Sequence, residues 1–374
     1  MRIGPLRKTA AVALTLFVLL ASSTSNSFTL VKGEILDVDY VIQTTVTFSN
    51  NGTNVWNLTE EDREISLFMN NTWQTVFLTE SSYPIEKTET DEDGNWIAIL
   101  ELPGKLEPGS NVNYTVTYNV ESKQRVIPHL NKQESGNLTD RRIQTLRGNY
   151  CRGGDAWQID DPTLQETAHA IAGNETNVLS VVEKFVAWIW SNISYGSSEV
   201  PRYPNETLLS REGDCDDQAI LFITLCRIYG IPSYLQVGCI YEYGPPTQQS
   251  NWNGTVTSVL RNIAWHGWAM VYVPPWGWLP VDFTYVMGGQ GIPVNPLNAI
   301  KRGAVTSRRT IQYMNISQRD YVASSRNYRD FLIENQIYIH QKDEMSQTPQ
   351  KSWEQLIERW IQWFQWSLIT VGII

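Results

Sequence analysis

The segment Arg211-Glu212-Gly213-Asp214-Cys215-Asp216-Asp217-Gln218-Ala219 passes from a polar loop into a run whose apolar residues recur at threes and fours. Ala219, Phe222, Ile223 and Cys226 share one side of that run, which predicts a helix from about Asp216 to Tyr229. It stops at Gly230-Ile231-Pro232, a glycine followed by a proline, as a helix C-terminus prefers. A strand, Ser233 to Tyr241, is expected directly after. Cys215 therefore sits where a loop enters a helix. Unpaired N–H groups and the helix dipole favour an anion there, and thiolate is the reactive form of cysteine. The Cys215 amide is also placed to face a developing oxyanion.

A thiol nucleophile needs a base, and the chain has four histidines. His129 falls in a polar connection, His169 on an expected helix and His340 in the C-terminal region. His266 opens an expected strand, Ala264 to Val273, in the same unit as Cys215. Alternation along it puts His266, Trp268 and Met270 on one face. Pro274-Pro275-Trp276-Gly277 is read as a turn and Trp278 to Phe283 as the returning strand, a hairpin that brings Asp282 roughly opposite His266. A carboxylate there fixes the imidazole tautomer and stabilises its cation.

These residues resemble the transglutaminase-like superfamily, papain-like thiol enzymes with a Cys-His-Asp triad. Three blocks carry the likeness in order: Gly213 to Ala219 with Arg227 to Ser233, Trp265-His266-Gly267-Trp268-Ala269-Met270-Val271-Tyr272-Val273, and Gly277-Trp278-Leu279-Pro280-Val281-Asp282-Phe283-Thr284. Tyr195 resembles the aromatic that often precedes the nucleophile block. The chain departs at Met270, where many members carry an acid, and at Phe283, where proline is common. The resemblance implies catalytic Cys215, His266 and Asp282. It also implies an α+β papain-like core, with the nucleophile helix packed on an antiparallel sheet.

Outward from this core, Phe28 to Val120 alternates apolar and polar residues between turn clusters such as Asn50-Asn51-Gly52 and Asp91-Glu92-Asp93-Gly94-Asn95. This predicts an all-β sandwich domain over 28–122. Residues 123–162 read as a linker, 163–325 as the transglutaminase-like catalytic domain and 326–374 as a C-terminal helical region. Within the catalytic domain the Tyr243 to Asn262 stretch, rich in Gly, Pro, Gln and Ser, reads as a mobile loop.

The N-terminus and the sequons suggest export. Arg2, Arg7 and Lys8 precede an apolar run from Thr9 to Ala21 and the small residues Ser22, Ser23 and Thr24, which reads as a signal peptide over 1–24. Asn-x-Ser/Thr sequons stand at Asn51, Asn57, Asn70, Asn113, Asn137, Asn174, Asn192, Asn205, Asn253 and Asn315, so N-glycans are expected. Trp353, Leu356, Ile357, Trp360, Ile361, Phe364 and Leu368 share a helical face before a nearly apolar end. That tail reads either as a membrane-associated interfacial helix or as a helix docked on the protein's own core.

The net charge of −10 and the lack of any Lys/Arg-rich run argue against nucleic acid. Four cysteines without a C-x-x-C pair suggest neither a disulfide scaffold nor zinc. Cys226 and Cys239 read as buried small hydrophobes, either of which remains a candidate to pair with Cys151. Asp214, Asp216 and Asp217 complement the helix dipole without requiring a metal, and no cofactor is implied.

The functional expectation is an exported, cell-surface thiol hydrolase or acyltransferase that works on amide bonds of a protein or peptide through a Cys215 thioester. The alternatives are a non-catalytic surface binding module and a protein cross-linker.

Overall fold

The computed structural model describes residues 38–348, except 155 and 287–291. The expected signal peptide and the Trp-rich tail lie outside the described residues. No helix among those described is long and apolar enough to cross a membrane.

The helix that carries Cys215 is buried over most of its length. We label the main helices α1 (Arg141–Tyr150), α2 (Pro162–Ala172), α3 (Val178–Asn192), α4 (Pro204–Ser210), α5 (Cys215–Ile228) and α6 (Tyr321–Asn335). Asp214 caps α5 with a reciprocal capping box: its carboxylate accepts from Asp217 N at 3.4 Å, and the Asp217 carboxylate accepts from Asp214 N at 3.3 Å. At the other end Gly230 takes φ +68°, which lets Ile231 N donate back to Cys226 O at 2.9 Å and closes the last turn. Residues Asp217 to Arg227 are all buried. Arg227 tolerates this because its guanidinium donates to Ser233 O and Arg152 O and lies 4.0 Å above the Trp157 ring.

The strands form two principal sheets. The first eight are β1 (Val38–Asn50), β2 (Glu64–Ser66), β3 (Gln74–Ser81), β4 (Ile85–Thr90), β5 (Trp96–Leu100), β6 (Asn111–Ser122), β7 (Ser233–Tyr241) and β8 (Thr247–Asn251). The remainder are β9 (Val256–Arg261), β10 (Ile263–Val273), β11 (Gly277–Val281), β12 (Thr310–Ile316) and β13 (Ile337–Gln347). A four-stranded antiparallel sheet runs β11-β10-β7-β12, and a six-stranded sheet runs β8-β9-β13-β1-β6-β3. A small third sheet, β2-β5-β4, completes the strand-rich N-terminal region.

Helix α5 packs on one face of the four-stranded sheet, with α2 and α3 behind it, in a core that takes in Leu235, Ala269, Val271 and Val273. A second core gathers the six-stranded sheet around Ile42, Tyr118 and Met345 and takes in Cys239, Ile263 and Ile311. Strand β10 serves both cores, since its odd residues Ala269 to Val273 face the helices while Ile263 and Trp265 pack with the six-stranded sheet. The changeover falls at Gly267.

The architecture is α+β, with the Cys215 helix packed on an antiparallel sheet and a strand-rich N-terminal region, as the sequence predicts. It differs in what completes the six-stranded sheet. Residues 337–347, expected within a helical region, form β13, antiparallel to β1 and parallel to β9. Residues 247–261, expected as part of a mobile loop, form β8 and β9 at that sheet's edge. The expected linker holds α1 and contributes Leu130, Ile143 and Trp157 to the helical core.

Strand β12, the edge of the four-stranded sheet, is closed by side chains in place of a strand. Gln74 Oε1 accepts from Gln312 N, and Asn95 Oδ1 from Asn315 N, both at 2.7 Å. Asp93 Oδ1 accepts from Ser317 N at 2.7 Å, just beyond the strand. Unpaired edge groups are a template for aggregation, and these amides and this carboxylate cover them.

Candidate active site

Two secondary-structure junctions build the site. Register pairs Ala269 with Val281, so Asp282 comes opposite Trp268 and falls on the same face as His266, two residues away. His266 Nε2 donates to Asp282 Oδ2 at 3.0 Å, and both residues are buried. A carboxylate only accepts, so this bond places the imidazole proton on Nε2 and leaves Nδ1 with its lone pair. Asp282 Oδ1 is held in turn by the N–H groups of Thr284 and Tyr285 at 3.2 and 3.1 Å.

The second junction brings in the thiol. Strand β11 pairs with β10 only as far as Ala269, leaving the edge of β10 open at residues 266–268. The N-terminus of α5 docks on that edge at Gly267, where a Cβ would meet the Asp216 Cβ at 3.0 Å. A side chain there would force the first turn of α5 to give by a few tenths of an ångström, so glycine suits the contact. The Cys215 thiol reaches Asp216 Oδ1 at 3.9 Å, and the N–H of Gly267, the residue immediately after His266, favours its anion. Cys215 is the first residue of α5, so its own N–H is among those left without an intrahelical acceptor.

The electrostatics differ from what the helix start alone suggests. Cys215 keeps part of its surface open to solvent, yet dense packing around the sulfur raises the thiol well above its usual range. The Asp216 and Asp214 carboxylates add to the rise, and the donors Gly267 N–H and Asp216 N–H oppose it without cancelling it. The side-chain oxygens of Asp214 and Asp216 and the Cys215 sulfur lie within 4.8 Å of one another. Burial and the neighbouring Asp214 push Asp216 up as well, and they push Asp217 up to about 6. Asp217 accepts from Arg202 N at 2.7 Å, and the Arg202 guanidinium is 3.6 Å away. Burial and the two carboxylates therefore disfavour the thiolate in this site.

Two tyrosines complete the surroundings. Tyr321, at the start of α6, stands beside these groups: burial and the neighbouring Asp216 and Cys215 push its hydroxyl well above the usual range. Tyr195 is 65% exposed and close enough to Cys215 for each group to disfavour the other's anion. Tyr195 is visible in the sequence as an aromatic ahead of the nucleophile block. Tyr321 is not, because it arrives from a distant helix with no local pattern to mark it.

The other histidines stay away from the thiol: His169 faces the Tyr229 hydroxyl at 3.3 Å, and His340 faces Thr257 on the six-stranded sheet at 2.9 Å. All four cysteines are free. Cys226 and Cys239 are buried, and Cys226 is the one close enough to Cys151 for the two thiols to influence each other.

Residues 165–283 match the family model of the transglutaminase-like superfamily. This stretch is a transglutaminase-like core. It contains Cys215, His266 and Asp282 and ends one residue after the last of them. Solved structures similar to the chain include a candidate cysteine protease from Cytophaga hutchinsonii, at 17% identity and TM-score 0.48, covering 85% of this chain and 93% of that one. The periplasmic domain of TgpA from Pseudomonas aeruginosa, bound to ethylmercury, is similar at 14% identity and TM-score 0.31, with 69% and 90% covered. Red sea bream transglutaminase follows at 9% identity and TM-score 0.27, with 66% and 46% covered. Likeness this distant bears on neither substrate nor activity. Comparison with curated proteins gives no match. The transglutaminase-like core thus rests on its own residues for any functional reading.

Proposed function

We propose that the chain is a thiol hydrolase of amide bonds in a protein or peptide, with Cys215 as nucleophile, His266 as base and Asp282 as the carboxylate that orients the histidine. The supporting observation is the His266–Asp282 hydrogen bond, set one residue from Gly267, which packs against Asp216 beside Cys215. Nδ1 takes the thiol proton as sulfur attacks the carbonyl carbon, and the new imidazolium returns that proton to the departing amine as the C–N bond breaks. Water then resolves the thioester and releases a carboxylic acid. With an amine in place of water the same thioester yields acyl transfer. Because burial and the neighbouring carboxylates disfavour the thiolate, His266 takes the proton during attack rather than beforehand. The basic N-terminus with its apolar run and the dispersed sequons support an exported, glycosylated location for this chemistry.

p-Nitrophenyl acetate tests the assignment. Mixing should release a burst of nitrophenol equal to the protein present and leave an acetyl group on Cys215, detectable by mass. Cys215→Ala should show no burst, and His266→Ala should acylate roughly 10²–10⁴-fold more slowly, the usual worth of a general base. A burst that survives Cys215→Ala, or is indifferent to His266, would sink the proposal. Turnover accelerated by added glycine methyl ester, with the amide as product, would move the assignment from hydrolase to acyltransferase.

A further inference from the structure

A cavity of about 590 Å³ lies away from the thiol, on the face of the four-stranded sheet opposite the helices. Its size is ordinary for a small-molecule site, about 300–1,000 Å³. Tyr234 and Gln236 of β7, Met270 of β10 and Trp278 of β11 contribute from the sheet, and the strand-rich N-terminal region closes over them. Met270 stands four residues from His266 on the same face, about 13 Å along the strand, with buried Trp268 between them. The cavity is therefore separate from the proposed catalytic site.

Three features of its wall restrict what it can hold. The first is charge, since no lining residue is acidic or basic. The second is aromatic surface: Trp73, Trp96 and Trp278 all line it, and Trp96 is left 59% exposed. The third is a rigid set of amides. Asn71 Nδ2 donates to Gln312 Oε1 at 2.7 Å, Gln312 Nε2 to Gln236 Oε1 at 3.0 Å, and Gln236 Nε2 to Met314 O at 2.8 Å. One acceptor in this wall, Asn315 Oδ1, is buried without a partner. A buried orphan acceptor is costly, so it calls for an O–H or N–H donor.

We propose that this cavity binds a neutral saccharide. One face of a pyranose is a sheet of C–H bonds, which fits the electron-rich face of an indole, while its rim carries the hydroxyls that amides recognise. An apolar ligand would leave Asn315 Oδ1 unpaired, and a nucleotide would bring phosphates to a wall without a cation. A neutral polyhydroxyl ring meets all three conditions.

Calorimetric titration of the whole chain with cellotriose and with triacetylchitotriose, alongside tryptophan fluorescence, tests this. At least one of the two should bind saturably and perturb the fluorescence. Trp96→Ala should weaken that binding tenfold or more, and because its ring is exposed the fold should survive, as coincident thermal melts will show. In protein produced without N-glycans, so that loss of the Asn315 sequon has no effect of its own, Asn315→Ser shortens the orphan acceptor and should weaken binding independently. Cys215→Ala should bind like the wild type, so failure of the catalytic proposal leaves this one standing. The proposal is overturned if neither sugar binds at tens of millimolar, if both variants bind as tightly as the wild type, or if adenosine binds in their place.

Discussion

At the scale of single residues, the neighbour that matters most to Cys215 is Asp216. A cysteine at a helix N-terminus is ordinarily a candidate for a stabilised thiolate, and the sequence predicts one here. The same sequence places carboxylates on both sides of the sulfur, and only the fold shows that α5 is packed tightly enough for burial and those charges to outweigh the N–H donors. Alkylation by iodoacetamide should therefore still be climbing with pH beyond the ordinary thiol range of about 8.5. Asp216→Asn removes one of the charges that oppose the thiolate, so the thiol pKa falls and labelling near pH 8 becomes several-fold faster. Site-resolved labelling followed by mass spectrometry reads both effects. A plateau below pH 8 in the wild type, or slower labelling of Asp216→Asn, would contradict the assigned cause. The pairing of His266 with Asp282 and the place of Cys215 at a helix start were legible because each sits in a short local pattern. The sign of the thiol shift was not, because it depends on packing from α6 and β10.

At the scale of elements, the site depends on a helix end meeting a strand edge, and Gly267 is the point of contact. Gly267→Ala would drive a methyl group against the Asp216 Cβ and Cα at 3.0 and 3.4 Å, so the first turn of α5 must give by a few tenths of an ångström. The strand keeps its pairing with β7, and the fold should survive with a stability loss of about 1–3 kcal/mol, as for other small-to-large changes in packed sites. The nitrophenyl acetate burst should slow at least tenfold, because a small misplacement of reacting groups is expensive. An unchanged burst rate at an unchanged melting temperature would show that the junction does not position the sulfur. The elements themselves differ in how far sequence exposes them. Helix α5 and the β10–β11 hairpin follow clear periodicities and were readable. Strand β13 was not, because its inward positions run Ile337, Ile339, Gln341, Asp343 and Met345, and two polar residues interrupt the apolar alternation. Asp343 is acceptable there because Thr44, Trp265 and Gln341 all donate to it. Strand β8, at the sheet's edge, is Thr-Gln-Gln-Ser-Asn with little buried, so it has no apolar period to detect.

At the scale of the whole molecule, these two unreadable strands decide how the chain coheres. A division into a sandwich over 28–122 and a catalytic domain over 163–325 follows composition, but the sheets are threaded across that boundary. Strand β9 comes from the middle of the transglutaminase-like core and pairs with β13, which pairs with β1 near the start of the described chain. Gln74, Asp93 and Asn95 close the edge of β12 from the other direction. Cutting the core out as residues 163–325 would expose Cys239, Leu260, Ile263 and Ile311, all buried in the second core. At roughly 1.5–3 kcal/mol for each large apolar side chain, that loss is comparable to the whole stability of a typical domain, about 5–15 kcal/mol. The isolated 163–325 chain should therefore aggregate or remain without cooperative structure, although it contains every residue of the proposed triad. Residues 38–348 should instead unfold in one step, with near-ultraviolet dichroism and tryptophan fluorescence giving the same midpoint in urea. Two separated transitions, or a soluble 163–325 chain that still gives the acyl burst, would show that the strand exchange is dispensable and that the core folds alone. The single-transition outcome carries a further consequence: any change that loosens β13 reaches His266 through the bond from Trp265 Nε1 to Asp343 Oδ2 at 2.8 Å.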